Sequence, residues 1–281
     1  MITGPHRSGT TLVARLLGEL GLWLGPHLDI NAEAMYFLRR NEGLLRVAGG
    51  AWDRPQPLAA WLEVPGRVEA VARHFSEELG TRRLVELTGR SLLGGPRRRP
   101  LSGCWGFKDP RLLHTLPVWR GVFPGAPLVV VLRDEVRAAA SLWRREHGRK
   151  ELAVADLLDL EPLPGPAWSA PWRPRPLQPY LRSARCLDLE GAHALWSEYA
   201  SASRRVVQEH DGPVCEVRLE ELVERPVEEL ARVAGFAGLE PDAARVEVVA
   251  AGILAERALA EEPELEIAAL RERLAREQGS A

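Results

Sequence analysis

The chain has 281 residues, 46% of them hydrophobic and 27% charged, and a formal net charge of -2. This is the composition of a soluble globular protein long enough for one large α/β domain. It supplies no basic field for nucleic acid or an anionic membrane, and no apolar run approaches the roughly 18 residues of a membrane span. The three cysteines, Cys104, Cys186 and Cys215, are widely separated, which argues against a disulfide framework or a zinc site and fits a reducing cytoplasm.

The first predicted element is a three-residue strand, Met1 to Thr3, running into Gly4-Pro5-His6-Arg7-Ser8-Gly9-Thr10-Thr11. A strand feeding such a loop ordinarily has about five residues. Either an upstream start adds two to four apolar residues, or the strand is genuinely abbreviated. No signal peptide is expected, because the N-terminus already carries the candidate site. Leu12, Val13, Leu16, Leu17 and Leu20 then form a helical stripe over residues 9–20. Two glycines five apart, a hydroxyl pair and a helix start make an anion cradle, because unpaired N–H groups and the helix dipole both point at the loop. The phosphate loop G-x-x-x-x-G-K-S/T is matched at Gly4, Gly9 and Thr11, but Thr10 stands in place of its lysine. That lysine neutralises a triphosphate. A donor with a shorter anionic chain therefore fits better, with Arg7 as the fixed charge.

A loop over 22–33 carries His27, Asp29, Asn31 and Glu33, and a helix is predicted at about 34–48. Residues 66–91 read as one long helix or two. The loop 94–100, with Arg97, Arg98 and Arg99 among glycines and prolines, reads as solvated surface. A short strand over 104–107 leads to Lys108-Asp109-Pro110-Arg111 and a helix at about 112–121. Leu128 to Leu132 is an uninterrupted apolar run centred on three β-branched valines, the pattern of a central parallel strand covered on both faces. Residues 161–180 are a Pro- and Trp-rich loop, fitting a lid or a packed surface excursion equally. A helix over 188–210, a strand from Val214 to Leu219, a helix over 220–238 and a helical tail over about 242–277 complete a single domain, 1–281.

Arg133 follows the buried strand at its carboxyl end, where open α/β sheets place ligands, and Ser141 lies eight residues on in the next helix. Singly, Arg133 fits a salt bridge with Asp134, and Ser141 fits small-residue packing beside Ala138, Ala139 and Ala140. Together they form a second candidate phosphate grip. Taken with the N-terminal loop, they resemble the sulfotransferase family, which uses 3'-phosphoadenosine 5'-phosphosulfate (PAPS). Gly4 to Leu12 resembles the family's 5'-phosphosulfate loop, and Leu128 to Leu142 its 3'-phosphate segment. Trp105 to Arg111 resembles a segment of bacterial members. Asn41 to Leu45 with Trp52 to Pro55, and Val217 to Leu222 followed by Pro226 and Phe236 to Leu239, also resemble family segments. The basic, glycine-containing segment that cytosolic members carry near the C-terminus is not recognisable.

The resemblance implies a P-loop-like three-layer α/β sandwich with a central parallel sheet of about five strands. It implies transfer of a sulfuryl group from PAPS, without a metal, to a hydroxyl or amine of a small-molecule or carbohydrate acceptor, in a cytoplasmic monomer or homodimer. His6, Arg7, Ser8, Gly9, Thr10 and Thr11 would hold the 5' end of the donor, and Arg133 and Ser141 its 3'-phosphate. His6 fits a packing or capping role equally. Arg7 would also act in catalysis. Lys108 would reach the bridging oxygen, or else pair with Asp109. Glu33 is the first candidate for the base that takes the acceptor proton, and His27 the second, with Asp29 in the same loop. A P-loop kinase and a non-catalytic nucleotide-binding protein are the rival readings; the kinase needs the missing lysine and a metal-binding aspartate, for which Asp134 is the nearest residue.

Overall fold

The computed structural model describes residues 1–80, 104–147, 183–258 and 264–278. Among them, three strands form one parallel sheet in the order β1 (Ile2–Thr3), β2 (Leu128–Leu132), β3 (Val214–Arg218). β2 is central, pairing with β1 at Ile2 opposite Val129 and with β3 at Leu128 opposite Val214. Strand alternation sends Leu128 and Val130 into one core and Val129 and Val131 into another.

On one face lie α1 (Thr10–Glu19), α9 (Pro226–Phe236) and α10 (Ala243–Ala258); on the other lie α6 (Glu135–His147) and α7 (Leu189–Glu209). A third cluster, rich in aromatic residues, joins α2 (Met35–Val47), α4 (Arg67–Gly80) and α5 (Leu112–Val122); Phe37 stacks on Phe107 with ring centroids 3.5 Å apart, and Trp119 meets both rings. The remaining helices among the described residues are α3 (Gln56–Leu62), α8 (Leu219–Glu224) and α11 (Glu264–Gln278), with a 3-10 turn at Ala184–Leu187.

About five strands were expected, and three are formed among the described residues. The predicted strand over 104–107 makes only single parallel bridges, Lys108 to Ile2 and Trp105 to Trp23. With only two residues in strand conformation, β1 offers too little edge for a longer ladder. The helix predicted over 220–238 is two helices, because Pro226 lacks an N–H and disfavours helical backbone at Arg225, whose φ is -127°. α3 was not anticipated. The C-terminal tail is two helices. The end of the helix expected over 66–91, the arginine-rich loop 94–100 and the Pro/Trp-rich loop 161–180 lie outside the described residues.

Candidate active site

Parallel pairing explains why distant segments meet. β1 and β2 run the same way, so the turn after Thr3 and the turn after Leu132 leave the same edge of the sheet. The segment ending at Lys108 also runs parallel to β1, with Asp109 N–H donating to the Ile2 carbonyl at 3.1 Å. All three turns therefore open at the carboxyl ends of their segments, where an α/β sheet binds ligands.

The first turn is the glycine loop. A Cβ on Gly4 would lie 2.1 Å from the Val131 carbonyl oxygen, so only glycine lets the chain pass this close to β2. Gly9 precedes α1 with φ +92° and gives no side-chain cap. The first N–H groups of α1 thus have neither an intrahelical acceptor nor a capping oxygen. Ser8 Oγ is buried without a hydrogen-bond partner. A loop with uncapped amides and an orphaned hydroxyl fits an anionic group such as the 5' end of a phosphosulfate donor.

Arg7, with φ +67°, is exposed and links this loop to the second turn. Its Nε donates to Ser141 Oγ at 2.9 Å, and Arg133 Nη1 donates to the Arg7 carbonyl at 3.1 Å. Arg7 thus forms one group with Arg133 and Ser141, which lie 126 and 134 residues further along the chain. Asp134, beside them, caps α6 by accepting from Arg137 N–H at 2.9 Å and meets Arg271 at 3.7 Å.

The third turn carries a buried ionic group. Glu33 is 2% exposed. Its Oε1 accepts from Lys108 Nζ at 2.8 Å and its Oε2 from Arg111 Nη1 at 2.9 Å. Lys108 Nζ also lies 3.4 Å from Thr11 Oγ1, which ties the group to the glycine loop. Asp109 Oδ1 accepts from Arg111 N–H at 2.8 Å and Arg111 Nη1 at 3.0 Å. Burial by itself pushes the Glu33 carboxyl up, but the Lys108 and Arg111 charges and hydrogen bonds outweigh it and hold Glu33 below the usual carboxylate range. Asp109 goes the other way. Burial pushes it up to about 6, Arg111 opposing and Glu33 adding to the rise. Burial also opposes the Arg111 charge, but Asp109, Glu33 and Glu42 keep it firmly protonated.

His6 is buried, with its ring edge-on to Trp52 and Tyr199 at centroid distances of 4.9 and 4.8 Å. Burial, then the nearby Arg111, Arg145 and Lys108 charges, hold it well below its ordinary pKa and therefore neutral. Its ring occupies the packing position that the sequence left as one of two choices. His27 is exposed. Asp29 braces its own loop: its carboxylate accepts from Asn31 N–H at 2.9 Å and Glu33 N–H at 2.7 Å. Lys108, expected either to reach the donor or to pair with Asp109, pairs with Glu33. Arg111, Asp109 and Asn41 had no role assigned from sequence, although all three fall in the family-like segments; what sequence could not show is that those segments meet.

Among the described residues, no group of three or more His, Cys, Asp or Glu side chains could hold a metal, and no helix is long and apolar enough to cross a membrane. The fold is that of an α/β protein with a parallel sheet, and a glycine loop opening a helix stands beside an arginine–serine unit at one end of that sheet. More particularly, a model of the sulfotransferase family matches residues 1–161, which include the glycine loop, Glu33, Lys108, Arg111, Arg133 and Ser141, and the chain belongs to that family. No curated protein matches the chain.

Proposed function

We propose that this protein is a PAPS-dependent sulfotransferase that moves a sulfuryl group to a hydroxyl or amine of a small-molecule or carbohydrate acceptor. The observation that carries the reading is the Arg7 bridge. One residue of the glycine loop bonds Ser141 and Arg133 together, so the two candidate phosphate grips adjoin. A nucleotide with a 5' anion and a separate 3'-phosphate needs two such grips. A triphosphate instead needs the lysine that Thr10 replaces.

Sulfuryl transfer resembles phosphoryl transfer. The acceptor oxygen forms a bond to sulfur as the bond from sulfur to the bridging oxygen breaks, with the two oxygens roughly in line. The protein contributes positioning and charge stabilisation. The donor supplies the sulfuryl group. The amides of the loop, Ser8, Thr10, Thr11 and Arg7 hold the 5'-phosphate as negative charge builds on it. Lys108, already within reach of Thr11, turns its ammonium toward the leaving oxygen. Glu33, kept ionised by its two cations, then loses one of them and becomes a better proton acceptor for the attacking hydroxyl. Arg133 and Ser141 select the 3'-phosphate.

Calorimetry with adenosine 3',5'-bisphosphate, AMP and magnesium ATP tests the donor, and transfer of labelled sulfate onto fractions of a cell extract tests the chemistry. Tight binding of the bisphosphate alone, with label appearing in a product, is expected. Preference for magnesium ATP would replace this reading with a kinase. Bisphosphate binding without transfer to any acceptor would leave a nucleotide-binding protein.

A further inference from the structure

Behind the Glu33 group lies a fully buried asparagine that the mechanism does not use. Asn41, on α2, is 0% exposed. Its Nδ2 donates to Asp109 Oδ2 at 2.8 Å. Its Oδ1 accepts from Thr115 Oγ1 at 2.8 Å and from Trp119 Nε1 at 2.7 Å, both on α5. Trp119 Nε1 can only donate, so it fixes the amide oxygen toward α5 and the NH2 toward the carboxylate. Asp109 turns its other oxygen to Arg111, Arg111 holds Glu33, and Glu33 holds Lys108. The chain of contacts runs without a gap from the aromatic core to the glycine loop.

We propose, resting on the sulfotransferase reading, that Asn41 is a positioning residue for the transfer step: by fixing the Asp109 carboxylate against Arg111, it sets where Glu33 and Lys108 stand beside the glycine loop. Asn41 lies behind the group and bonds none of Arg7, Arg133 and Ser141, and it reaches the glycine loop only through the long Lys108–Thr11 contact, so donor binding should change far less than turnover. Its role is electrostatic as well as steric. Buried with no amide donor, the Asp109 carboxylate would be harder to ionise, because the Asn41 hydrogen bond favours the charged form against burial. Arg111 would then lose an anchor and be left to Glu33 and Glu42.

Asn41→Asp separates this role from simple core packing. Its Oδ1 still accepts from Thr115 and Trp119, but its other oxygen donates to Asp109 only when protonated. The groups facing this contact are Arg111 and Lys108 on the same turn, Glu33 from the preceding loop, Glu42 on α2, and Tyr199 on α7. At acid pH, the shared proton restores the bond; at alkaline pH, two carboxylates oppose each other. Sulfuryl transfer by Asn41→Asp, divided by that of the natural protein at each pH, should therefore fall about 10- to 100-fold between pH 5.5 and 8.5, the cost of a displacement of about 1 Å at the reacting groups. The dissociation constant of adenosine 3',5'-bisphosphate should stay within about threefold. Asn41→Leu, close in volume and unable to donate at any pH, should show the lower turnover throughout, with the same affinity retained. A ratio for Asn41→Asp that does not change with pH, or bisphosphate affinity that falls together with turnover in Asn41→Leu, would reduce Asn41 to a core residue. If the natural protein itself neither binds the bisphosphate nor transfers sulfate, the sulfotransferase reading fails and the role of Asn41 fails with it.

Discussion

Replacing Lys108 by methionine keeps the apolar stem and removes one of the two cations on a carboxylate that is 2% exposed. Breaking a buried ion pair outright costs about 3–5 kcal/mol, because the remaining charge is left uncompensated. Here, Arg111 still holds Glu33 at 2.9 Å, so a smaller loss is expected, about 2–3 kcal/mol, or about 4–6 °C in melting temperature for a chain of this length. The pH dependence distinguishes this cause from lost packing. Glu33 is held below its unfolded pKa by Lys108 and Arg111, so the stability it contributes is present above the unfolded value of about 4.3 and is lost as pH falls through the folded value. Without Lys108, that contribution shrinks. The gap between the two proteins should be full from neutral pH down to about 4.3 and close only below that, as pH falls through the folded value. Asp109, pushed up to about 6, titrates in both proteins and largely cancels in the difference. Thermal melts of the two proteins, paired from pH 8 to well below pH 4, measure the gap. A gap of constant size across that range would show that Lys108 matters for its stem rather than its charge, and would undo the account of how Glu33 stays ionised.

Arg133→Ala should weaken adenosine 3',5'-bisphosphate by about 2–3 kcal/mol, roughly 30- to 150-fold, while AMP changes only a few-fold, since one charge-assisted contact is lost from one ligand alone; equal losses by calorimetry would remove Arg133 from the 3'-phosphate. Glu33→Gln should lower turnover about 10²- to 10⁴-fold with bisphosphate affinity retained, and an unchanged rate in sulfate transfer would eliminate Glu33 as the base. Gly4→Ala puts a Cβ 2.1 Å from the Val131 carbonyl oxygen at φ +150°, and should cost about 3–5 kcal/mol through overpacking and backbone strain; a melting temperature within a degree of the natural protein would mean that the loop can move off β2.

Much of the candidate donor site was legible in the chain because its signals are local. The spacing of Gly4 and Gly9, the helical stripe from Leu12 to Leu20, and the β-branched run before Arg133 each lie within about a dozen residues, and local backbone preferences write such patterns directly. The ends of elements were less legible. The 220–238 helix breaks at Pro226, and the segment over 104–107 contributes bridges rather than a strand, because its neighbour β1 is so short. Glu33 and Lys108 were both named as candidates, but from separate stretches, and nothing in either stretch shows the 2.8 Å bond between them.

The α/β class, the lysine-less glycine loop and the arginine–serine unit after the buried strand are all written in the chain. Periodicity, glycine placement and residue chemistry are properties of short segments, and they survive without knowledge of the fold. It takes the packed fold to reveal that Arg7 joins Ser141 and Arg133, that Lys108 pairs with Glu33 instead of Asp109, and that Asn41 sits behind Asp109. Those contacts span 68 to 134 residues of chain. They exist because parallel pairing delivers the three turns to one edge of the sheet, and because buried charges must find partners wherever the packing brings them.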